Sequence, residues 1–162
     1  MNLPDGWLSP QEAKELQRLA KDKTVLELGA WKGRSTVVLA EVARYVVSVD
    51  RHQGIAEVGG EDSLPDYLQS VRNLANVAIV VAQFDKIVPL LGSFFDMAFV
   101  DGDHDKQSVK FDVQLAMEHV HGRGIIALHD FDFESVRAGA AEIFGKRSPD
   151  SLVGSVASFT VA

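Results

Sequence analysis

Short runs of β-branched and apolar residues recur at Thr24–Leu28, Tyr45–Val49, Val77–Val81, Phe95–Val100 and Gly124–Leu128, each bounded by polar or glycine-containing segments. They predict five strands. Between them lie stretches of helical period. The clearest spans His104 to Val120, where Val109, Val113, Ala116, Met117 and Val120 share one face while Lys106, Lys110 and Gln114 point elsewhere. Ser9-Pro10-Gln11-Glu12 reads as a capping box with proline at the first helical position and predicts a helix to about Asp22. Ser63-Leu64-Pro65-Asp66 opens another towards Ala75, and Phe133–Phe144 predicts the last. The tail Leu152–Val161 is β-like and predicts one or two edge strands, in antiparallel pairing. Nearly continuous apolar strands separated by crossover helices imply an α/β fold: a Rossmann-like, doubly wound, mostly parallel sheet with helices on both faces and a β-edge at the C-terminus.

Composition narrows the picture. The chain has 162 residues, 46% hydrophobic and 24% charged, which fits a single domain over 1–162 around one sizeable core. Its formal charge is −7, and its basic residues are scattered, so no nucleic-acid partner is expected. No apolar run approaches membrane-spanning length, and the first residues lack the basic and apolar regions of a secretion signal. With no cysteine, disulfide and thiolate chemistry are excluded. The expectation is a cytoplasmic protein without a membrane partner.

The unusual residues fall on one edge of the expected sheet. After the first strand the chain reads Glu27-Leu28-Gly29-Ala30-Trp31-Lys32-Gly33; the second strand ends in Asp50, the third in Gln83-Phe84-Asp85, the fourth in Asp101-Gly102-Asp103-His104 and the fifth in His129-Asp130. Ligands of open α/β sheets sit beyond these carboxyl ends, where strand order reverses. The opposite edge, at Thr24, Arg44, Asn76, Asp96 and Arg123, shows no comparable cluster. Gly29 and Gly33 open the first crossover helix, where backbone N–H groups can meet a ligand, and Asp50 is placed to accept from a ribose diol. Either glycine alone would signify only a tight turn. The full set in this order points to a nucleoside-containing cofactor. A dinucleotide fingerprint needs G-x-G-x-x-G, whereas this loop is G-x-x-x-G, and Glu27 would repel a pyrophosphate but suits the ammonium of a methionine moiety. S-adenosylmethionine is the better fit.

The blocks Val25-Leu26-Glu27-Leu28-Gly29-Ala30-Trp31-Lys32-Gly33-Arg34-Ser35-Thr36, Val49-Asp50, Phe99-Val100-Asp101-Gly102-Asp103-His104 and Ala127-Leu128-His129-Asp130 resemble the class I S-adenosylmethionine-dependent methyltransferases. Within them, the match is to the branch of catechol-type, macrolide-sugar and rhamnosyl O-methyltransferases and cephalosporin-hydroxylase-like proteins. The resemblance implies a seven-stranded sheet, with a truncated one left open because little chain follows Phe144. It also implies that Glu27, Gly29, Trp31, Gly33 and Ser35 line the methionine end of the cofactor, that Asp50 holds the ribose, that Arg51 lies near the adenine and that Gln83, Phe84 and Asp85 flank its ring. Ala30 and Asp101 complete the cofactor-binding set. In metal-dependent members the corresponding residues hold magnesium, which points here to Asp101, His129 and Asp130. His104 falls where catechol-type enzymes carry a lysine base.

The chemistry expected is O-methylation of a small hydroxylated acceptor. A hydroxyl is a poor nucleophile until its proton leaves, and a bound divalent cation with a nearby imidazole eases that loss. Magnesium prefers oxygen ligands, so direct ligation by His129 suits zinc, iron or manganese better; otherwise His129 orients Asp130. Two other functions stay open: an iron site of His104, His129 and Asp130 for oxygen chemistry, and a non-catalytic cofactor-binding module. A homodimer is compatible with the sequence, and Arg51–Gly60 is expected to be a mobile loop.

Overall fold

The computed structural model describes residues 3–53, 62–92 and 94–161. Its strands are β1 (Thr24–Leu28), β2 (Tyr45–Asp50), β3 (Val77–Val81), β4 (Phe95–Val100), β5 (Val120–Leu128), β6 (Ser151–Val153) and β7 (Val156–Thr160). They form one sheet in the order β3-β2-β1-β4-β5-β7-β6. The first five run parallel and β7 pairs antiparallel with both β5 and β6. All seven strands are present, so the sheet is not truncated. The tail does supply two antiparallel strands, but only β6 is an edge; β7 lies between β5 and β6.

The helices are α1 (Pro10–Ala20), α2 (Arg34–Ala40), α3 (Leu64–Val71), α4 (Phe84–Ile87), α5 (Lys106–His119) and α6 (Glu134–Phe144). One core joins Leu26, Leu28, Phe95, Ala98 and Val100 of the sheet to Val109, Val113 and Val136 of α5 and α6. The other joins Val25, Val46, Met97 and Phe99 to Leu16 and Leu19 of α1 and Val38 and Leu39 of α2. Alternate residues of β1 and β4 therefore point into different layers, which is why these strands read as unbroken apolar runs. No helix among the described residues is long and apolar enough to cross a membrane.

Several boundaries moved for identifiable reasons. Asp105, rather than His104, caps α5, its Oδ1 accepting from Gln107 N (3.0 Å) and Ser108 N (3.1 Å). The expected apolar face of α5 is widened by buried Asp112, Leu115 and His119, because the helix packs on both the sheet and α6. Ser63 precedes α3 but makes no capping bond. Its hydroxyl instead meets His52 Nδ1 at 3.0 Å. The expected mobile loop lies, from residue 54 onward, outside the described residues.

The capping box of α1 forms as expected, and its Glu12 does more than cap. The Glu12 carboxylate accepts from Ser9 N (2.8 Å), Ser155 N (2.6 Å) and Ser155 Oγ (2.8 Å), fastening α1 to the β6–β7 turn. Burial opposes its ionisation, but the Ser155 and Ser9 hydrogen bonds prevail and bring its pKa down to about 2. Its stabilisation is therefore complete above its ordinary pKa and disappears as pH falls towards 2. Glu12→Ala is expected to cost about 2–4 kcal/mol at neutral pH, read as a lower denaturant midpoint.

Candidate active site

Strand order reverses at β1, which has β2 on one side and β4 on the other. Three backbone bonds carry the ladders one residue past the strands: Gly29 N to Val49 O (3.0 Å), Asp101 N to Leu28 O (2.8 Å) and His129 N to Val100 O (3.1 Å). Gly29, Asp101 and His129 are thereby fixed side by side at the rim. The opposite edge uses its polar residues to tie loops: Asp96 accepts from Thr24 N and pairs with His121, while Asn76 donates to Ala40 O and Ala43 O.

The glycines of the first loop have backbone reasons to be glycine. Gly29 has φ +94°, and a Cβ there would lie 2.0 Å from the Asp101 carbonyl oxygen. Gly33, the N-cap of α2, has φ +89° and sits against Tyr67 and Ser70 of α3. Asp50 Oδ2 accepts from Ala30 N (2.8 Å) and Trp31 N (2.9 Å), and Oδ1 from His52 N (2.6 Å). Asp50 thus holds the loop in shape. Trp31, at φ +44°, stacks on Trp7 with ring centroids 4.5 Å apart, and Lys32 Nζ lies over its ring. Arg34 ties the segment before α1 to this loop by donating to Leu8 O and Pro4 O.

Beyond β4 and β5, two carboxylates and two imidazoles converge. His129 Nδ1 faces Asp101 Oδ1 at 3.2 Å and Asp130 Oδ2 at 3.1 Å, while His104 Nε2 meets Asp130 Oδ2 at 2.9 Å. One ligand atom each from Asp101, His104 and Asp130 falls within a 4.8 Å span, a set suited to a divalent cation that accepts oxygen and one nitrogen. His129 stands outside that set, with Nδ1 turned to the carboxylates and a buried Nε2 that has no hydrogen-bond partner among the described residues, 4.0 Å from Glu12 Oε2. The expected grouping of Asp101, His129 and Asp130 is brought together, and His104 joins it through Asp130. Burial opposes the His129 imidazolium, yet the two aspartates prevail and lift its pKa to about 10. Burial likewise opposes ionisation of Asp130, and the two imidazoles hold it well below the carboxylate range.

The sequence from residue 26 to 131 matches the family model described as a methyltransferase domain. The chain belongs to this methyltransferase family. Its fold is that of solved class I S-adenosylmethionine-dependent methyltransferases. The O-methyltransferase TomG of Streptomyces achromogenes, in complex with SAM, is similar at 18% identity and TM-score 0.73, with 99% of this chain and 84% of that chain covered. The O-methyltransferase of Bacillus cereus, in complex with SAH, is also 18% identical at TM-score 0.71, covering 99% and 85%. The tRNA (m1A58) methyltransferase TrmI of Aquifex aeolicus is 17% identical at TM-score 0.70, covering 99% and 71%. No curated protein matches the sequence.

In this methyltransferase Glu27 is fully buried, with Oε1 accepting from Ser35 Oγ and Oε2 from Thr36 Oγ1, each at 2.6 Å. Burial outweighs these hydrogen bonds and raises its pKa to about 7. The folded chain then keeps the proton that the unfolded chain releases, so stability declines as pH rises from about 4.5 to 7 and levels off above. Glu27→Gln is expected to remove that decline, raising Tm relative to the parent at pH 8 and matching it near pH 4.

The expected adenine flank is less enclosed. Gln83 is the exposed N-cap of α4, Asp85 pairs with Lys86 at 2.8 Å, and Phe84 and Arg51 are half-buried. Two buried residues at the methyltransferase rim carried no signal in the sequence. His52, at φ +55°, packs its ring against Tyr67 at a tilt of 41°, and Asp112 sits within an apolar helix face where periodicity suggested only hydrocarbon.

Proposed function

We propose that the methyltransferase moves a methyl group from S-adenosylmethionine to an oxygen of a small hydroxylated molecule, with a divalent cation at Asp101 and Asp130. The convergence of these carboxylates with His104 beyond the carboxyl ends of β4 and β5, beside the switch point at β1, carries the reading. The O-methyltransferases of similar fold in complex with SAM and SAH support the donor and the oxygen acceptor. The net charge of −7 favours a small acceptor over RNA.

A bound S-adenosylmethionine supplies an electrophilic methyl group, and a bound divalent cation lowers the pKa of an acceptor hydroxyl. The remaining work belongs to the chain. Asp50 accepts three backbone N–H bonds, and a carboxylate has about four acceptor sites, which leaves capacity for a ribose hydroxyl while the loop stays fixed. Glu27, buried below the first loop, accepts from Ser35 and Thr36 and fixes the start of α2 beside the methionine end. Asp101 and Asp130 supply oxygen ligands, and His129 donates between them and sets their orientation. His104, held at Asp130, accepts the proton of the hydroxyl.

The test is incubation of the protein with isotope-labelled S-adenosylmethionine and a panel of phenols, catechols and sugar alcohols, with and without magnesium or manganese, read by mass spectrometry and NMR. An O-methylated product that depends on the cation is expected. Transfer only to nitrogen, carbon or RNA would reject the reading.

A further inference from the structure

Between the N-terminal ends of α5 and α6 lies an open cavity of about 730 Å³, within the range of about 300–1,000 Å³ typical of small-molecule sites. Its walls come from Lys106, the first residue of α5, and from Asp132, Phe133, Glu134, Ser135 and Arg137 at the start of α6. Phe133 joins this cavity to the cluster at the rim. Its ring meets that of His104 edge to face, with centroids 5.4 Å apart at 89°, and His104 Nε2 lies 2.9 Å from Asp130 Oδ2. Phe133 keeps 45% exposure, so the part of the ring that does not pack on His104 is left for the apolar face of a ligand. The rest of the lining is polar, and its formal charges cancel: Lys106 and Arg137 against Asp132 and Glu134. Lys106 pairs with Glu142 at 2.7 Å, and Arg137 Nη1 donates to the carbonyls of Phe131 and Asp132, which leaves Nε and Nη2 to donate. The carboxylates of Asp132 and Glu134 and the hydroxyl of Ser135 have no partner among the described residues. Donors and acceptors therefore surround one aromatic face. A charged substituent finds as many like charges there as opposite ones, and nothing offsets the desolvation of its own charge. Hydroxyls, each both donor and acceptor, match the whole lining.

We propose that this cavity is the methyl-acceptor site, that its ligand is an uncharged ring carrying several hydroxyls, and that Phe133 is a specificity-determining residue. The apolar face of the ring rests on Phe133, its outer hydroxyls exchange hydrogen bonds with Asp132, Glu134, Ser135 and Arg137, and the reacting hydroxyl points to His104. That hydroxyl gives its proton to His104 and takes the methyl group, while the C–S bonding pair stays on sulfur and S-adenosylhomocysteine leaves. This inference rests on the O-methyl-transfer reading above and goes beyond it by naming where the acceptor lies, its charge and the residue that selects it.

Initial rates of methyl transfer from S-adenosylmethionine, with magnesium, to two matched series test it: catechol, protocatechuate and dopamine, and methyl glucoside, methyl glucuronoside and methyl glucosaminide. Within each series the members are neutral, anionic and cationic in turn. The neutral member of at least one series is expected to show kcat/KM at least about tenfold above both charged counterparts, and the series that reacts identifies the ring. In Phe133→Ala the acceptor KM is expected to rise at least about tenfold while the donor KM holds, and Phe133→Tyr is expected to restore it. Phe133 makes no capping bond at α6 and is half-exposed, so thermal unfolding should show both variants folded. Preference for a charged member, O-methylation confined to acyclic sugar alcohols, or an acceptor KM that Phe133→Ala leaves unchanged would overturn this site and leave oxygen methylation standing. The charge preference of the parent decides even where a variant does not fold. No transfer to any oxygen, in these series or in the wider panel above, would overturn both.

Discussion

Gly29→Ala is expected to destabilise the protein by about 2–5 kcal/mol, a large share of the roughly 5–15 kcal/mol that holds a domain of this kind folded. Two costs add. The left-handed φ of +94° is unfavourable for an L side chain by about 1–2 kcal/mol. The new methyl group would also press into the carbonyl of Asp101 at 2.0 Å, and that carbonyl belongs to backbone already bonded to β1, so β1 and β4 must separate. Overpacking of such a site adds about 1–3 kcal/mol. Gly33→Ala is the control, because φ is similar at +89° while the nearest atoms are the side chains of Ser70 and Tyr67 at 3.2 Å, which can give way. Urea midpoints should place Gly29→Ala well below Gly33→Ala. Equal midpoints would mean that the rim is looser than the close approach of Gly29 and Asp101 implies.

Asp130→Asn is expected to reduce methyl transfer by about 10²–10⁴-fold while leaving the fold and S-adenosylhomocysteine binding nearly intact. Asp130 adopts φ +52°, which asparagine tolerates better than most residues, so the substitution changes charge without adding backbone strain. Its Oδ2 is the point where His104 and His129 meet. Losing the charge there weakens the proposed cation site and removes the carboxylate that holds His104. Steady-state kinetics should show a fall in kcat far larger than any rise in KM for the donor. His104→Asp separates the remaining roles: an aspartate can ligate but replaces the imidazole base, so activity restored relative to His104→Ala would make His104 a ligand. Activity of Asp130→Asn within a few-fold of the parent would remove the cluster from the chemistry.

Strand and helix positions were legible because each run of apolar residues sits between turn-forming or capping residues, and the parallel order followed from crossover helices between unbroken apolar strands. The rim was legible for the same reason: side chains at the carboxyl ends of neighbouring strands must lie together once the sheet is parallel. What the chain does with those side chains was not. The glycines read as an approach for a ligand, yet Gly29 is required by the Asp101 carbonyl. Asp50 read as a ribose partner, and its hold on the loop through three N–H groups gave no sign in the sequence. Local sequence carries no record of most such contacts, because Ala30 and Trp31 lie 20 and 19 residues from Asp50, and Gly29 lies 72 from Asp101; only His52 N is close, two residues from Asp50. Asp112 escaped notice because α5 is covered on two sides, so a polar residue falls inside a stripe that periodicity reserves for hydrocarbon.

Titration calorimetry with S-adenosylhomocysteine, on the parent chain and on Asp50→Ala, bears on all of this at once. Binding with a Kd of about 1–100 µM by the parent, lost or weakened at least about tenfold in a folded Asp50→Ala, is the predicted result. No binding by the parent, or binding that Asp50→Ala leaves unchanged, would contradict a nucleoside site at the rim.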